Sequence, residues 1–593
     1  MGARGAARGR SEVPGVSGDR RGGGTGGGPR GGGSGGHGGP RNPGGTGGGP
    51  RGGGSRGHGG PRNPGGTGTG NGSGQRGSGS SASSGGARRG TGGGWGDTAR
   101  GGGDRRRPQE RRPARSEPRT APPGRTDPAR RAAFDVLRAV ADSDAYANLV
   151  LPPMLAERGL TGRDAAFATE LAYGTLRLRG RYDAILTMAS TRPLKEIDPR
   201  VLDALRLGAH QLLGMRVPPH AAVGETVDLV RAVAGEGASS FANAVLRQIG
   251  RADLAEWERR MAERTADPLE LLAQRTAHPA WIARAFREAL AVESTAGGAS
   301  PAELEKLLAA DNAAPAVTLV ARPGLVGADE LAQEEHDGAI EPQGTVPTAW
   351  RLLGGAPDRI AAVRQGRMGV QDAGSQVVAL ALAAAPLTGR DEQWADVCAG
   401  PGGKAALLGA VLAERAEGAG RLVAGEVQPH RVGLLRRSVK AIEQAAPGLV
   451  EVVEWDGREV GQTHREQFDR VLVDAPCTGL GALRRRPEAR WRRSPSDIPP
   501  LTALQRDLLT AALDATRVGG VVAYVTCSPH LAETRGVVDA VLRKRSDVEV
   551  VDAAAVLAEI APGLTDVGAG PYAQLWPHRH GTDAMFLALL RRT

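Results

Sequence analysis

The chain is 593 residues long, 90 of them glycine, with 76 Lys+Arg against 65 Asp+Glu, a formal net charge of +11 and three cysteines. Three cysteines with no CxxC pair make neither a disulfide framework nor a thiolate zinc site. The apolar run from Val377 to Leu387 is broken by Pro386 and falls short of the ~18 residues that cross a bilayer. The Gly/Arg-rich start has no apolar stretch of the secretory kind, so a cytoplasmic, reducing setting without membrane or metal is expected.

The glycine is unevenly placed. Residues 1–124 hold 48 glycines, 21 arginines, no lysine and six acids, a net of +15, which leaves −4 on the remaining 469 residues. Residues 23–43 read GGTGGGPRGGGSGGHGGPRNP, and 44–64 repeat them with Arg56 in place of Gly35. The repeat has no apolar face to bury, and nothing in it offsets the ~1–2 kcal/mol per residue of backbone ordering. A disordered tail over 1–124 is expected. Its arginines suit non-specific contact with RNA phosphates. A solubilising extension that arose by repeat expansion explains them equally well, and no catalytic role is assigned to them.

Residues 125–262 change character. Ala132, Ala133, Val136, Leu137 and Val140 recur at helical spacing, and the stretches from Asp164, Val201, Ala221 and Phe241 continue the pattern. Strand signals are absent, so a helix bundle is expected. Residues 263–370 are mixed. A helix opens at His278-Pro279-Ala280-Trp281, and Pro315-AVTLVARPG and Pro347-TAWRLL read as short strands of a small α+β linking unit.

From 371 to 593 strands and helices alternate. Trp394-ADV leads into the glycine-rich turn Cys398-Ala399-Gly400-Pro401-Gly402-Gly403-Lys404 and a helix, where backbone N–H groups can approach a ligand. Arg421-LVAGE ends on Glu426, at the spacing of an acid that bonds ribose hydroxyls. Val450-EVVEWD ends on Asp456, Phe468-DRVLVDAPC on Asp474 and Cys477, and Gly519-GVVAYVTCS on Cys527. Five strands thus deliver functional side chains to the carboxyl edge of a parallel sheet, where open α/β folds bind ligands. A cysteine at a strand end is usually a small buried apolar residue, but here all three fall at such ends. Just beyond Cys477, Arg484, Arg485, Arg486, Arg490, Arg492 and Arg493 surround Trp491, which suggests a phosphate clamp with a stacking ring rather than a merely solvated charge run.

The order ARRAAFDVL, ELAYGTLRLRGRYD, LRLGAHQLL, PPHAAVGETVDLV and FANAVLR resembles the NusB family of helical RNA-binding domains. That implies RNA contact, with Arg131, Arg177 and Arg181 as candidates and Asn243 as a buried hydrogen-bonding residue. DVCAGPGGK, GEVQPHR, VDAPCTGLGALRRRPEARW and VTCS resemble the RNA cytosine-5 methyltransferases. With the NusB-like block in front, they match the RsmB (Sun/Fmu) branch, which methylates 16S ribosomal RNA. Val370-QDAGSQVVA and the terminal HRHGTDAMFLALL belong to the same likeness. CAGPGGK stands where CAAPGGK is common, and Glu426 where Asp is common.

The resemblance implies an α/β Rossmann-like class I methyltransferase domain, preceded by the all-α NusB-like domain and the tail. The cofactor is S-adenosylmethionine, the partner small-subunit ribosomal RNA, and the chain is taken as a monomer. It assigns nucleophilic attack on the cytosine ring to Cys527 and the release step to Cys477. Asp474 is assigned to the cytosine edge, Lys404 to organising the loop or the base. Residues 398–404, Glu426, Asp456 and Asp474 are implied to line the cofactor pocket, with Asp456 either a partner for the adenine amino group or a strand-end cap. The target base must leave its stack to reach two thiols in a pocket. Two other readings compete: a non-catalytic RNA-binding assembly factor, in which the thiols have no role, and a DNA cytosine-5 methyltransferase, in which Cys477 attacks.

Overall fold

The computed structural model describes residues 126–593 except 144, 294–297, 416–418 and 569; the repetitive tail over 1–124 lies outside the described residues. From Pro128 to Arg264 the regular elements are all helical. The first, Pro128–Ser143, buries Ala132, Ala133, Val136, Leu137 and Val140, the stripe read from the sequence. The helix Pro199–Leu213 starts on Asp198, whose side chain accepts from the Arg200 N–H, with proline at the first helical position where no N–H is needed. Its His210 Nδ1 pairs with the Tyr182 hydroxyl at 2.7 Å inside the bundle core. Asn243 corrects the expectation for it: it is only half-buried, and its side chain accepts from Arg247 Nε at 3.1 Å on the surface.

The next stretch holds helices Ala280–Glu293 and Pro301–Ala310 and a four-stranded antiparallel sheet. Its strands are β1 (Thr318–Ala321), β2 (Ile340–Pro342), β3 (Ala349–Leu352) and β4 (Met368–Val370), in the order β2-β3-β1-β4. β1 and β3 are the two expected strands. β2 and β4 have three residues each, too few for an alternation to register. The two helices pack Ile282, Phe286, Leu304 and Leu308 against Leu480, Leu483 and Trp576, so this segment and the C-terminal part share a core.

The C-terminal sheet contains β5 (Gln393–Asp396), β6 (Arg421–Glu426), β7 (Val450–Glu454), β8 (Phe468–Asp474), β9 (Thr516–Thr526), β10 (Val548–Val551), β11 (Ala573–Gln574) and β12 (Phe586–Arg592). The order is β7-β6-β5-β8-β9-β12-β10, with β11 on β12. β7 through β9 pair in parallel, and β12 runs antiparallel to β9. β8 and β9 are buried almost throughout, as central strands covered on both faces must be. The chain order reverses between β5 and β8, which opens a crevice at their carboxyl ends. This is the Rossmann-like methyltransferase architecture expected from the sequence. Among the described residues no helix is long and apolar enough to cross a membrane, and no group of three or more His, Cys, Asp or Glu is placed to hold a metal ion.

Candidate active site

The turn after β5 is held by close packing. A Cβ on Gly400 would lie 2.1 Å from Glu426 Oε2, so only glycine lets the turn rest on that carboxylate. Gly402 has φ +110°, a backbone state L side chains avoid, and a Cβ there would stand 2.6 Å from Ser438 Cβ. Glu426, at the end of β6 and 3% exposed, accepts from the Gln428 N–H at 2.9 Å and pairs with Arg431 at 3.2 Å. Arg431 also donates to the Gly400 carbonyl, tying the glycine turn to the acid.

Asp396, the last residue of β5, is fully buried, and neither carboxylate oxygen has a hydrogen-bond partner. Burial, then the Asp474 charge, pushes its carboxyl up to about 8, against the opposing pull of Lys404. The Cys398 thiol beside it is raised by burial and by Asp396, Asp474 and Glu426, so it stays a neutral thiol. Three acids, Asp396, Asp474 and Glu426, thus gather beside a glycine turn, one of them with an unsatisfied carboxyl. That donor set fits a cationic ligand carrying a ribose, which the sulfonium cofactor is. Asp456 lies just past β7, caps the short turn Gly457–Glu459 through the Arg458 N–H at 3.0 Å and pairs with the Arg458 side chain.

The two other thiols meet. Cys477 Sγ and Cys527 Sγ are 3.4 Å apart, each half-buried just beyond the ends of β8 and β9. Lys404, from the first turn of the helix Gly403–Arg415, donates to Asp474 Oδ2 at 2.8 Å. Burial alone would depress the Lys404 ammonium, but Asp474 outweighs it and keeps the group charged. The Cys527 thiol is held low by the hydrogen bond from Cys477 and by Lys404, against burial and the charges of Asp474 and Asp583. Cys477 is pushed up by the same bond, by burial and by Glu533. The shared hydrogen bond is the largest influence on both thiols; Lys404 works for a Cys527 thiolate against Asp474 and Asp583, and Glu533 works against a Cys477 thiolate. Asp396, Arg431 and Glu533 went unread in the sequence because each acts through residues far along the chain.

The arginine segment is not the open phosphate clamp expected from its charge. Arg484 is buried, with hydrogen bonds to Asp372 Oδ2 (2.6 Å), Asp583 Oδ1 (2.7 Å) and the Gly581 carbonyl (2.8 Å). Arg485 pairs with the same two acids. Arg490 is fully buried and donates to the carbonyls of Arg177, Ala277 and Asp311 and to Asn312 Oδ1. Arg492 donates to the carbonyls of Val140 and Ala145 at 2.8 and 2.6 Å. Trp491 is half-buried and packs so closely on Gly180 that a Cβ there would lie 2.4 Å from the ring, and the Arg179 guanidinium lies over the ring at 5.7 Å.

The physical reason is that helices leave their last carbonyls without N–H partners. Where several helix ends meet in the interior, a guanidinium fork is the side chain that satisfies them. Arg486 is exposed and lies over the Tyr146 ring at 4.7 Å; Arg493 is half-buried and donates to the Thr478 carbonyl at 3.2 Å. In the helical region Arg131 pairs with Asp135, Arg181 donates to the Arg275 carbonyl, and Arg177 is half-buried.

A parallel sheet with this strand order and a glycine turn against a strand-end acid are the framework of an S-adenosylmethionine-dependent methyltransferase, here with a pair of thiols at the crevice. Residues 383–591 match the family model for 16S rRNA methyltransferase RsmB/F, and residues 127–251 match the NusB family. A putative methyltransferase of Mycobacterium tuberculosis is 50% identical over 482 residues, covering 80% of this chain and 99% of the relative. The probable ribosomal RNA small subunit methyltransferase B of Bacillus subtilis is 30% identical over 468 residues, 78% of this chain and 98% of its own. The crystal structure of PH0851 has the same fold, with a TM-score of 0.64 at 22% identity over 80% of this chain and 99% of that one. The chain belongs to the RsmB/F family of 16S rRNA methyltransferases.

Proposed function

We propose that this protein transfers a methyl group to carbon 5 of a cytosine in small-subunit (16S) ribosomal RNA through a covalent bond to Cys527. The observation that carries this reading is the thiol pair, 3.4 Å apart with Lys404 on the Cys527 side. The cofactor supplies an electrophilic methyl group on a sulfonium. Carbon 5 of cytosine is a poor nucleophile, and covalent addition at carbon 6 splits one hard step into two easier ones.

The Cys527 thiolate adds to carbon 6, and the displaced electron pair makes carbon 5 enamine-like. Asp474, backed by Lys404, hydrogen-bonds the cytosine edge during attack. After carbon 5 has gained the methyl group, Cys477 serves the release step: with Cys527 bonded to the ring, Cys477 gives up its own proton to solvent and takes the carbon-5 proton, the carbon–hydrogen electron pair forms the ring double bond, and the sulfur–carbon-6 pair leaves with Cys527 as its thiolate. The Cys477 thiol is pushed up and the Cys527 thiol down, which suits separate roles. The residues assigned to cofactor binding are 398–404, Glu426, Asp396, Asp456 and Asp474.

We assign the domains as 125–262 helical and RNA-binding, 263–370 linking, and 371–593 catalytic, acting in the cytoplasm. Of the arginine segment, Arg486 and Arg493 keep a part in RNA contact. Two measurements test the reading. Cys527→Ala abolishes transfer, whereas Cys477→Ala accumulates a covalent enzyme–RNA adduct; full activity in Cys527→Ala with trapping through Cys477 would reverse the roles. Bisulfite mapping of ribosomal RNA with and without the gene should show one 5-methylcytosine lost from the small subunit, and no loss refutes the substrate.

A further inference from the structure

Glu533 lies between β9 and the helix Arg535–Leu542, is fully buried, and has no part in the chemistry above. Its carboxylate accepts from four neutral donors. Oε1 takes the Thr478 N–H at 2.8 Å and Gln505 Nε2 at 3.2 Å; Oε2 takes the Thr478 hydroxyl at 2.5 Å and the Ser528 hydroxyl at 2.7 Å. Thr478 follows Cys477 and Ser528 follows Cys527, so one side chain binds the residue next to each thiol. Gln505 also donates to the Pro476 carbonyl at 2.9 Å, which grips the Cys477 loop on its other side.

Glu533 itself is anchored. The Tyr524 hydroxyl donates to its carbonyl at 2.7 Å, and its N–H donates to the His530 carbonyl at 2.9 Å. Only an ionised carboxylate offers two acceptor oxygens and no donor, which four converging donors require. Leaving those donors buried without an acceptor is costly, so the clamp is stiff.

We propose that Glu533 is a positioning residue that holds Cys477 and Cys527 at their working separation by clamping the residues that follow them. The inference rests on the two-thiol reading of the site, but its test uses neither RNA nor cofactor. Both cysteine residues are half-buried, so a small reagent is the suitable probe. Limiting iodoacetamide near neutral pH, followed by mass spectrometry of the two cysteine peptides, reads their relative reactivity. The groups facing Cys527 are Cys477, Lys404, Asp474 and Asp583.

In the native protein Cys527 should label about tenfold faster than Cys477, because the thiolate is the reacting species. Glu533→Gln keeps the shape but offers one acceptor oxygen and turns an NH2 toward the hydroxyls. Cys527 labelling should slow and Cys477 labelling quicken, so that the ratio falls to about threefold or less. If Glu533 acts only as a nearby charge, Cys477 quickens while the Cys527 rate is unchanged, and positioning is overturned. The double variant Thr478→Val, Ser528→Ala keeps the charge and the Thr478 N–H bond but removes both hydroxyl arms of the clamp, including the whole hold on Ser528. It should slow Cys527 without quickening Cys477; an unchanged Cys527 rate overturns the proposal, including the case where Glu533→Gln fails to fold. If the labelling pattern is as expected but no 5-methylcytosine is lost in the mapping experiment, the methyl-transfer reading fails while the clamp stands.

Discussion

Replacing Arg490 by Met keeps the side-chain volume and removes every donor. Arg490 serves the carbonyl ends of three helices: Arg177 closes Gly162–Arg177, Ala277 follows Pro268–Arg275, and Asp311 caps Pro301–Ala310. The distances are 2.9, 3.3 and 2.8 Å, with Asn312 Oδ1 at 2.7 Å. The negative ends of three helices converge there, which favours a cation in their midst. Each buried acceptor left unpaired costs about 1–3 kcal/mol. Removal of one side of a buried charged network typically costs about 3–5 kcal/mol, which we take as the expected loss. With an unfolding entropy of about 1 kcal/mol/K for a folded body of this size, the midpoint of thermal unfolding should fall by about 3–5 °C. The RNA affinity should be read against salt in the same preparation. A cation that neutralises one RNA phosphate adds about 0.7–0.9 to the salt slope, and Arg490→Met should leave that slope unchanged. An unchanged midpoint together with a slope reduced by one phosphate would refute the assignment of Arg490 to the interior.

Three further outcomes follow from the geometry. The Asp396 carboxyl is raised to about 8 in the folded protein from about 3.9 unfolded, so its contribution to stability is fully present below about pH 4 and is lost as pH rises toward 8; Asp396→Asn should therefore gain on the native protein in thermal midpoint between about pH 5 and about pH 8, and a constant difference would contradict this. Gly400→Ala puts a methyl group 2.1 Å from Glu426 Oε2; an overpacking cost of about 1–3 kcal/mol should weaken S-adenosylmethionine binding roughly 5- to 150-fold in calorimetry, and an unchanged affinity would remove Glu426 from the cofactor site. Deletion of 1–124 should leave turnover at saturating RNA intact and alter only affinity and its salt dependence; abolished turnover would give the tail a catalytic part.

The sheet and its edge were legible because central parallel strands are written as continuous apolar runs ending on a functional residue. Phe468-DRVLVD and Gly519-GVVAYVT carry that signal, and the structure brings their cysteines together as β8 and β9 pair in register, Asp474 opposite Val525. β2 and β4 carried no such signal, since three residues show no period. The arginine segment misled for a different reason. Sequence shows charge but not the partner of a charge, and the acids that absorb Arg484 and Arg485 are Asp372 and Asp583, about 100 residues away in either direction. Carbonyls at helix ends are invisible in sequence altogether, so Arg490 and Arg492 could only be read as cations in search of phosphate. Glu533 was hidden in the same way, because its partners are a backbone N–H, two hydroxyls and an amide.

The segment from Cys477 to Arg493 therefore does two jobs along one stretch of chain. At its start Thr478 is fixed by Glu533, and at its end Arg493 donates back to the Thr478 carbonyl at 3.2 Å. Between them Arg490 and Arg492 are bonded to carbonyls of the helical region, and the Ala147 N–H of that region donates to Glu488 at 3.2 Å. A loop that carries one of the two paired thiols is thus referenced to the NusB-like helices as well as to its own sheet. Displacing those helices would pull on backbone bonded to Thr478, the neighbour of Cys477, and also on Cys527, whose carbonyl accepts from the Gly481 N–H of the same segment at 2.8 Å. The helical domain is thereby tied by hydrogen bonds to the segment that holds Cys477 and touches Cys527. Cys527 lies just past the end of β9 and Cys477 within the segment that joins the helical domain, and the Gly481 bond links the two.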